Sequence, residues 1–311
     1  ASLATIGVLL STLIVALLTL SVSLLLGIPL DFIHCLLLGA LISPTDPVAV
    51  ISTLKTLGVP ASLETKIAGE SLFNDGVGVV VFLAIFGIVT GGEAVDAGHI
   101  AALFVQEAIG GGVLGLLLGW LAYRMLRQVD NYQVEVLITL ALVMGGYSLA
   151  GALHLSGPIA MVVAGLLIGN HGRRLAMSDT TREHLDTFWE LIDEILNAVL
   201  FVLIGLEYLI LPHDINFVLA GFLMIPLVLL SRFISVSSTV RFLRMFRWIE
   251  KGTARVLTWA GLRGGISIAL ALSLPAGPER SGIIAMTYII MAFSILVQGL
   301  TVGRVIEHYL D

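Results

Sequence analysis

The sequence has little charge. Only 12% of its 311 residues are Asp, Glu, Lys or Arg, roughly half the share of a soluble domain. It is 58% hydrophobic, with a mean hydropathy of +1.03, so the chain reads as an all-α polytopic membrane protein. A single cysteine, Cys35, rules out an internal disulfide. Its place in an apolar run makes it a packing residue. Cysteine and histidine do not cluster at a spacing suited to a transition metal, and a net charge of -6 gives no support to nucleic-acid binding. The first apolar run lacks the basic n-region and small-residue cleavage site of a signal peptide. The chain is therefore expected to be either processed or a fragment.

What is abundant is length in the apolar runs. About ten spans of transmembrane length can be placed, near 3–26, 32–56, 64–90, 99–123, 133–154, 157–172, 187–211, 215–240, 252–274 and 282–304. Alternate threading puts thirteen Lys and Arg on one side, among them Lys55, Lys66, Arg124, Arg173, Arg244 and Lys251, and only Arg280 on the other. Arg232 and Arg263 stay inside spans. Cytoplasmic loops carry the positive excess, so both termini are expected in the cytoplasm of a cell-membrane protein.

Two spans carry helix breakers. Pro44 and Pro47 flank Thr45-Asp46 in the second, and Gly261, Gly264 and Gly265 surround Arg263 in the ninth. Proline removes a backbone donor and glycine weakens a helix, so both helices are expected to break near mid-membrane. Each is the second member of a three-span group, and the two groups cross in opposite directions. Broken helices at matching places in inverted halves point to a transporter site. The expected organisation is a first core triplet at 1–90, an intervening scaffold, dimerisation and linker part at 91–211, and a second, inverted triplet at 212–311.

Three acids, Asp46, Glu70 and Asp75, stand inside otherwise apolar segments. A charge at membrane depth costs from about 2.5 kcal/mol upward, and its usual meaning is an ion or substrate path. At 100° per residue Ser71 shares a helix face with Asp75, and Glu70 with Asn74. Carboxylate beside hydroxyl suits a hard cation such as Na⁺, Li⁺ or K⁺, and unwound backbone at Pro44–Pro47 would add carbonyl oxygens. Burial favours a protonated carboxyl and a bound cation favours the ionised one, so one aspartate can hold either. Glu70 is the natural partner of Arg232, since neither should stand alone at low dielectric. Arg263 is expected to meet helix-end carbonyls or Asp46, and its charge would keep surplus cations out.

Each of these has a plainer reading. Asp46 could simply cap a half-helix, Glu70 is best read as half of a structural ion pair, and Asn74 as an interhelical hydrogen-bond former. His34 and His154 read as interfacial or satisfied core residues. Glu107 and Glu135 are expected to face loops or a subunit contact. The acids Glu183, Asp186, Glu190, Asp193 and Glu194 read as the solvated face of an amphipathic helix.

The stretches ISPTDPVAV at 42–50, GESLFNDGVGVVVF at 69–82 and GLRGGISIALALSLP at 261–275 resemble the signature helices of the CPA1-type monovalent cation/proton antiporters. Shorter echoes at 157–170 and 196–207 extend the resemblance over nearly the whole chain. It implies an inverted-repeat antiporter fold with two broken, crossing helices, and a core moving against a dimerisation domain in a homodimer. The chain would begin at the family's fourth helix. Asp75 matches the ion-binding aspartate, Ser71 and Thr45 match ligand positions, and Asp46 matches the aspartate of the first broken helix. Glu70 and Arg232 match a stabilising pair. Asn74 is similar to the residue of electroneutral members, which fits one carboxylate trading one proton for one Na⁺.

The expectation is a secondary transporter with no enzymatic activity and no cofactor, whose partners are a monovalent cation, the proton and the lipid bilayer. An intramembrane aspartyl protease would also need two aspartates on adjacent helices, but its GxGD signature is absent. A cation channel could use the same carboxylates, yet two interrupted helices fit alternating access better.

Overall fold

The computed structural model describes residues 2–46, 50, 51, 54, 61–91, 97–172, 177–210, 214–243 and 252–310. Pro47 and the loop cations Lys55, Arg173, Arg174, Arg244, Arg247 and Lys251 lie outside them, as does the side chain of Lys66. The regular structure of the described residues is helical apart from one isolated backbone bridge. In order, the helices are α1 (Ser2–Leu26), α2 (Phe32–Ile42), α3 (Ala61–Gly91), α4 (Ala97–Leu126), α5 (Tyr132–Ala152), α6 (Gly157–Leu167), α7 (Asp179–Ile210), α8 (Ile215–Leu243), α9 (Thr253–Trp259), α10 (Gly265–Leu272), α11 (Pro278–Phe293) and α12 (Leu300–Leu310). A π turn, Ile168–Gly172, extends α6, and another, Ser294–Gly299, joins α11 to α12.

Among the described residues, six segments are long and apolar enough to cross a membrane, from Thr5–Leu26 to Pro278–His308. The other apolar stretches belong to shorter pieces, Phe32–Ile42 and Gly157–Asn170, to the amphipathic α7, and to α9 with α10, which are two halves of one interrupted span. Breaks occur where the sequence places breakers. α2 ends at Ile42, with Ser43 and Pro44 following, and α9 and α10 are separated by residues 260–264.

The chain divides into two compact units, residues 1–90 with 199–311, and residues 91–198. In the first, α1 packs against both α2 and α8. The α1–α2 approach is close enough that a Cβ on Gly39 would lie 2.4 Å from the Thr12 carbonyl oxygen. Hydroxyls supply the polar contacts: Ser235 donates to the Gly7 carbonyl at 2.7 Å and Thr12 to the Ser43 hydroxyl at 3.3 Å. Small residues with interhelical hydroxyl bonds are the usual means of joining helices in lipid, where the hydrophobic effect gives no preference for protein over lipid. A second apolar cluster, including Val50, Ile67, Val256, Leu257 and Ile306, surrounds α9.

The second unit is built on a similar close approach. Gly111, Gly115 and Gly119 of α4 face Ser156, Ala160 and Ala164 at the start of and along α6, and a Cβ on Gly115 would meet the Ala160 carbonyl oxygen at 2.3 Å. Asn131 caps α5 by accepting from the backbone N–H groups of Gln133 and Val134. Glu135 departs from expectation. It does not face a loop but is 1% exposed and accepts a short hydrogen bond from the Thr181 hydroxyl of α7. The physical reason is its place in the first turn of α5, where the helix dipole favours a carboxylate and a neighbouring hydroxyl replaces water. The five acids from Glu183 to Glu194 on α7 are exposed.

Candidate functional site

Where the first broken helix stops, the second one crosses it. The Asp46 N–H donates to the Leu262 carbonyl at 2.8 Å, forming an antiparallel bridge between the two unwound segments. Side-chain packing is just as close: a Cβ on Gly264 would stand 2.5 Å from Asp46 Oδ2, and one on Gly261 would stand 2.8 Å from Arg232 Nε and 3.2 Å from a Thr45 methyl carbon. At Gly264 a Cβ would also stand 2.5 Å from the Asp46 Cβ, which leaves room only for glycine, whereas at Gly261 the Arg232 side chain would have to move aside. α3 passes alongside, since a Cβ on Gly78 would lie 2.3 Å from the Pro44 ring.

Unwinding α2 exposes carbonyls that have no helical partner, and in a membrane such groups must be satisfied internally. Arg263 does this for two of them. Its Nη1 donates to the carbonyls of Ser43 at 2.9 Å and Pro44 at 3.0 Å. The guanidinium thus places positive charge at the negative end of α2, a favourable arrangement for a helix dipole. Arg263 is 4% exposed.

A polar network on α3 joins this crossing to α8. Arg232 Nη2 donates to Glu70 Oε2 at 2.8 Å, and the other oxygen of Glu70 accepts from Asn74 Nδ2 at 3.2 Å. Asn74 also donates to Thr45 Oγ1 at 2.7 Å, and its carbonyl oxygen accepts from the Thr45 N–H at 3.3 Å. Asn74 therefore ties the charged pair to the unwound segment. Among the described residues, one lone pair and the hydroxyl proton of Thr45 are left for another partner.

Asp75 stands apart from that network. It is partly exposed, and its carboxylate makes no hydrogen bond or ion pair among the described residues, although it lies within Coulombic reach of Asp46 and Glu70. One turn earlier on the same face, Ser71 Oγ is buried with no hydrogen-bond partner among the described residues. Ser267 Oγ on α10 is in the same condition.

The candidate residues thus fall into three connected groups. Asp46, Thr45 and Arg263 meet at the crossing; Glu70, Asn74 and Arg232 form the network beside it; Asp75 and Ser71 share one face of α3. A small cavity beside them is lined by Arg232, Thr258, Gly261, Arg263, Phe293 and Gln298. Sequence reading missed Ser294 and Gln298, which contact the second unwound segment from the π turn. Their one visible signal is that they are polar residues inside an apolar span.

The profile of the family described as sodium/hydrogen exchanger, transmembrane, matches residues 1–308. The Na⁺/H⁺ antiporter NhaP of Pseudomonas aeruginosa is 56% identical over 309 residues, covering 98% of this chain and 73% of that protein. The Na⁺/H⁺ antiporter NhaH of Halobacillus dabanensis is 37% identical over 277 residues, 86% of this chain and 67% of that protein. Among solved structures, the sodium proton antiporter MjNhaP1 of Methanocaldococcus jannaschii at pH 8 superposes with a TM-score of 0.79 over 100% of this chain and 78% of the other. At 20% identity that likeness speaks to the fold alone.

Proposed function

The chain belongs to the sodium/hydrogen exchanger family, and on that premise we propose that it exchanges Na⁺ for H⁺ across the membrane, with Asp75 carrying either ion. The observation that carries this reading is a contrast on α3. Glu70 is engaged by Arg232 and Asn74, whereas the carboxylate of Asp75 is uncommitted among the described residues. A lone carboxylate at membrane depth is stable as a neutral acid or as an ion-paired carboxylate. Proton and cation therefore compete for it, and exposing that one group alternately to the two sides couples their opposite movements. No separate proton path is required.

The proposed cation ligands are Asp75, the buried Ser71 hydroxyl, Asp46 and Thr45, all oxygen donors. Li⁺ or K⁺ would be held by the same chemistry. Asn74 sets the stoichiometry in this reading. Being neutral, it bonds to Thr45 and Glu70 without taking up a second proton, so one proton is traded for one monovalent cation and no net charge moves. Arg263 keeps positive charge at the crossing and repels surplus cations.

The same reading places a homodimer in the cell membrane with both termini of this chain cytoplasmic, and it assigns no cofactor and no enzymatic activity. Its test uses the full-length protein in liposomes, where added Na⁺ should move ΔpH equally well with and without an imposed membrane potential. A clear potential dependence would overturn the one-to-one exchange, and the absence of any Na⁺-induced ΔpH would overturn the exchange itself.

A further inference from the structure

We propose that the π turn Ser294–Gly299 is the clamp for the second unwound segment, and that Ser294 and Gln298 are positioning residues that set cation affinity through Arg263 and Asp46. Interrupting the span between α9 and α10 strands backbone groups at membrane depth, and each needs a partner from elsewhere. Asp46 takes the Leu262 carbonyl, and the bonds at the two ends of the break go to the π turn and the start of α12. Gln298 Nε2 donates to the Trp259 carbonyl at 3.1 Å, at the end of α9. Ser294 Oγ accepts from the Arg263 N–H at 2.9 Å, just before α10. Thr301 Oγ1 accepts from the Trp259 indole N–H at 3.0 Å, two residues beyond the π turn.

These three bonds bracket residues 260–262, and Leu262 is the residue whose carbonyl holds the Asp46 N–H. The side chain of Arg263, whose N–H Ser294 accepts, reaches the Ser43 and Pro44 carbonyls. A shift at either end of the bracket is therefore passed to Asp46 from two directions.

The shape of the turn fits this task. A π turn inserts a residue into a helix, changes which side chains face inward, and is found mainly where function needs such an offset. Here Ser294 and Gln298 are 0% and 3% exposed, while Ile295, Leu296 and Val297 between them are 38%, 64% and 40% exposed. The polar pair is turned wholly toward the broken helix and the apolar residues outward. A buried primary amide costs free energy unless it is bonded, so Gln298 belongs with the carbonyl it satisfies.

The proposal rests on the reading of Asp46 and Asp75 as the ion site, and the experiment separates the two. Full-length wild type, Ser294→Ala, Gln298→Leu and Ser294→Thr would be compared in two ways. Hydrogen–deuterium exchange of peptides covering 259–265, in detergent without Na⁺, should be faster in Ser294→Ala and Gln298→Leu and restored by Ser294→Thr, which keeps the hydroxyl. In liposomes the apparent KM for Na⁺ should rise about two- to tenfold in the first two, the worth of one ordinary hydrogen bond, with the maximal rate per folded transporter unchanged. Unaltered deuterium exchange overturns the clamp whether or not the protein transports Na⁺. A lower rate at unchanged KM reduces the π turn to a structural support and also overturns the proposal. If Gln298→Leu fails to fold, Thr301→Val at the half-buried rim gives the same deuterium readout. Wild type that exchanges no Na⁺ would sink the functional reading while leaving the clamp to be judged by deuterium exchange.

Discussion

Arg232 and Glu70 meet at 2.8 Å with both side chains only 4% exposed. Removing one partner of a buried pair strands the other charge and costs about 3–5 kcal/mol, while replacing both by neutral groups costs far less. Arg232→Gln is expected to lower the melting temperature of the detergent-solubilised protein markedly, and Glu70→Gln combined with Arg232→Gln to recover much of the loss. A single variant as stable as wild type would mean that the pair holds nothing together.

Asp75 should behave in the opposite way. Its carboxylate makes no bond among the described residues, so Asp75→Asn should melt within about 1 kcal/mol of wild type, the range of a replacement that breaks no named interaction. Na⁺-dependent ΔpH should nevertheless vanish. Retained exchange in a folded Asp75→Asn protein would remove Asp75 from the site.

Competition at one carboxylate fixes a sign and a slope. Lower pH favours the protonated form, so Na⁺ must displace a proton and the apparent KM rises as pH falls. Linkage for one group gives a limiting change of about tenfold per pH unit at the acid end, and a KM that levels off at the alkaline end. A limiting slope near two would require a second titrating group, and a pH-independent KM would contradict competition.

The crossing is sterically closed at Gly264, where a Cβ would lie 2.5 Å from Asp46 Oδ2. The backbone there is extended, with φ −115°, so any residue could adopt it and the obstruction is the neighbour itself. Gly264→Ala is expected to displace Asp46 and abolish most transport. Gly69→Ala on α3, where a Cβ meets nothing within 4 Å, should instead leave activity intact and gain up to about 1 kcal/mol from helix propensity. Liposome exchange alongside thermal melting distinguishes the two substitutions, and an active Gly264→Ala protein would show that the close contact is dispensable.

Much of the site could be read from local chemistry. Asp75 and Ser71 share a helix face because the α-helical repeat dictates it, and the breaks at Pro44 and around Gly261 and Gly264 follow from residues that cannot continue a helix. Pairing of Glu70 with Arg232 could be anticipated because opposite charges at membrane depth seek each other. Glu135 was misread, since an acid near a helix start looks the same in sequence whether water or Thr181 satisfies it.

The sequence alone therefore determined that this is a helical membrane protein, where two of its helices break, and which acids lie at membrane depth, because hydropathy, helix breaking and the cost of buried charge act over a few residues. Tertiary structure alone decided that Asp46 pairs with Leu262, that Asn74 links Glu70 to Thr45, and that Ser294 and Gln298 hold the ends of the second break. Apart from the Asn74–Glu70 bond, which is local to α3, those contacts join neutral polar groups and backbone atoms from segments far apart in the chain. Their partners are chosen by which helices cross, and neither spacing nor composition carries that choice.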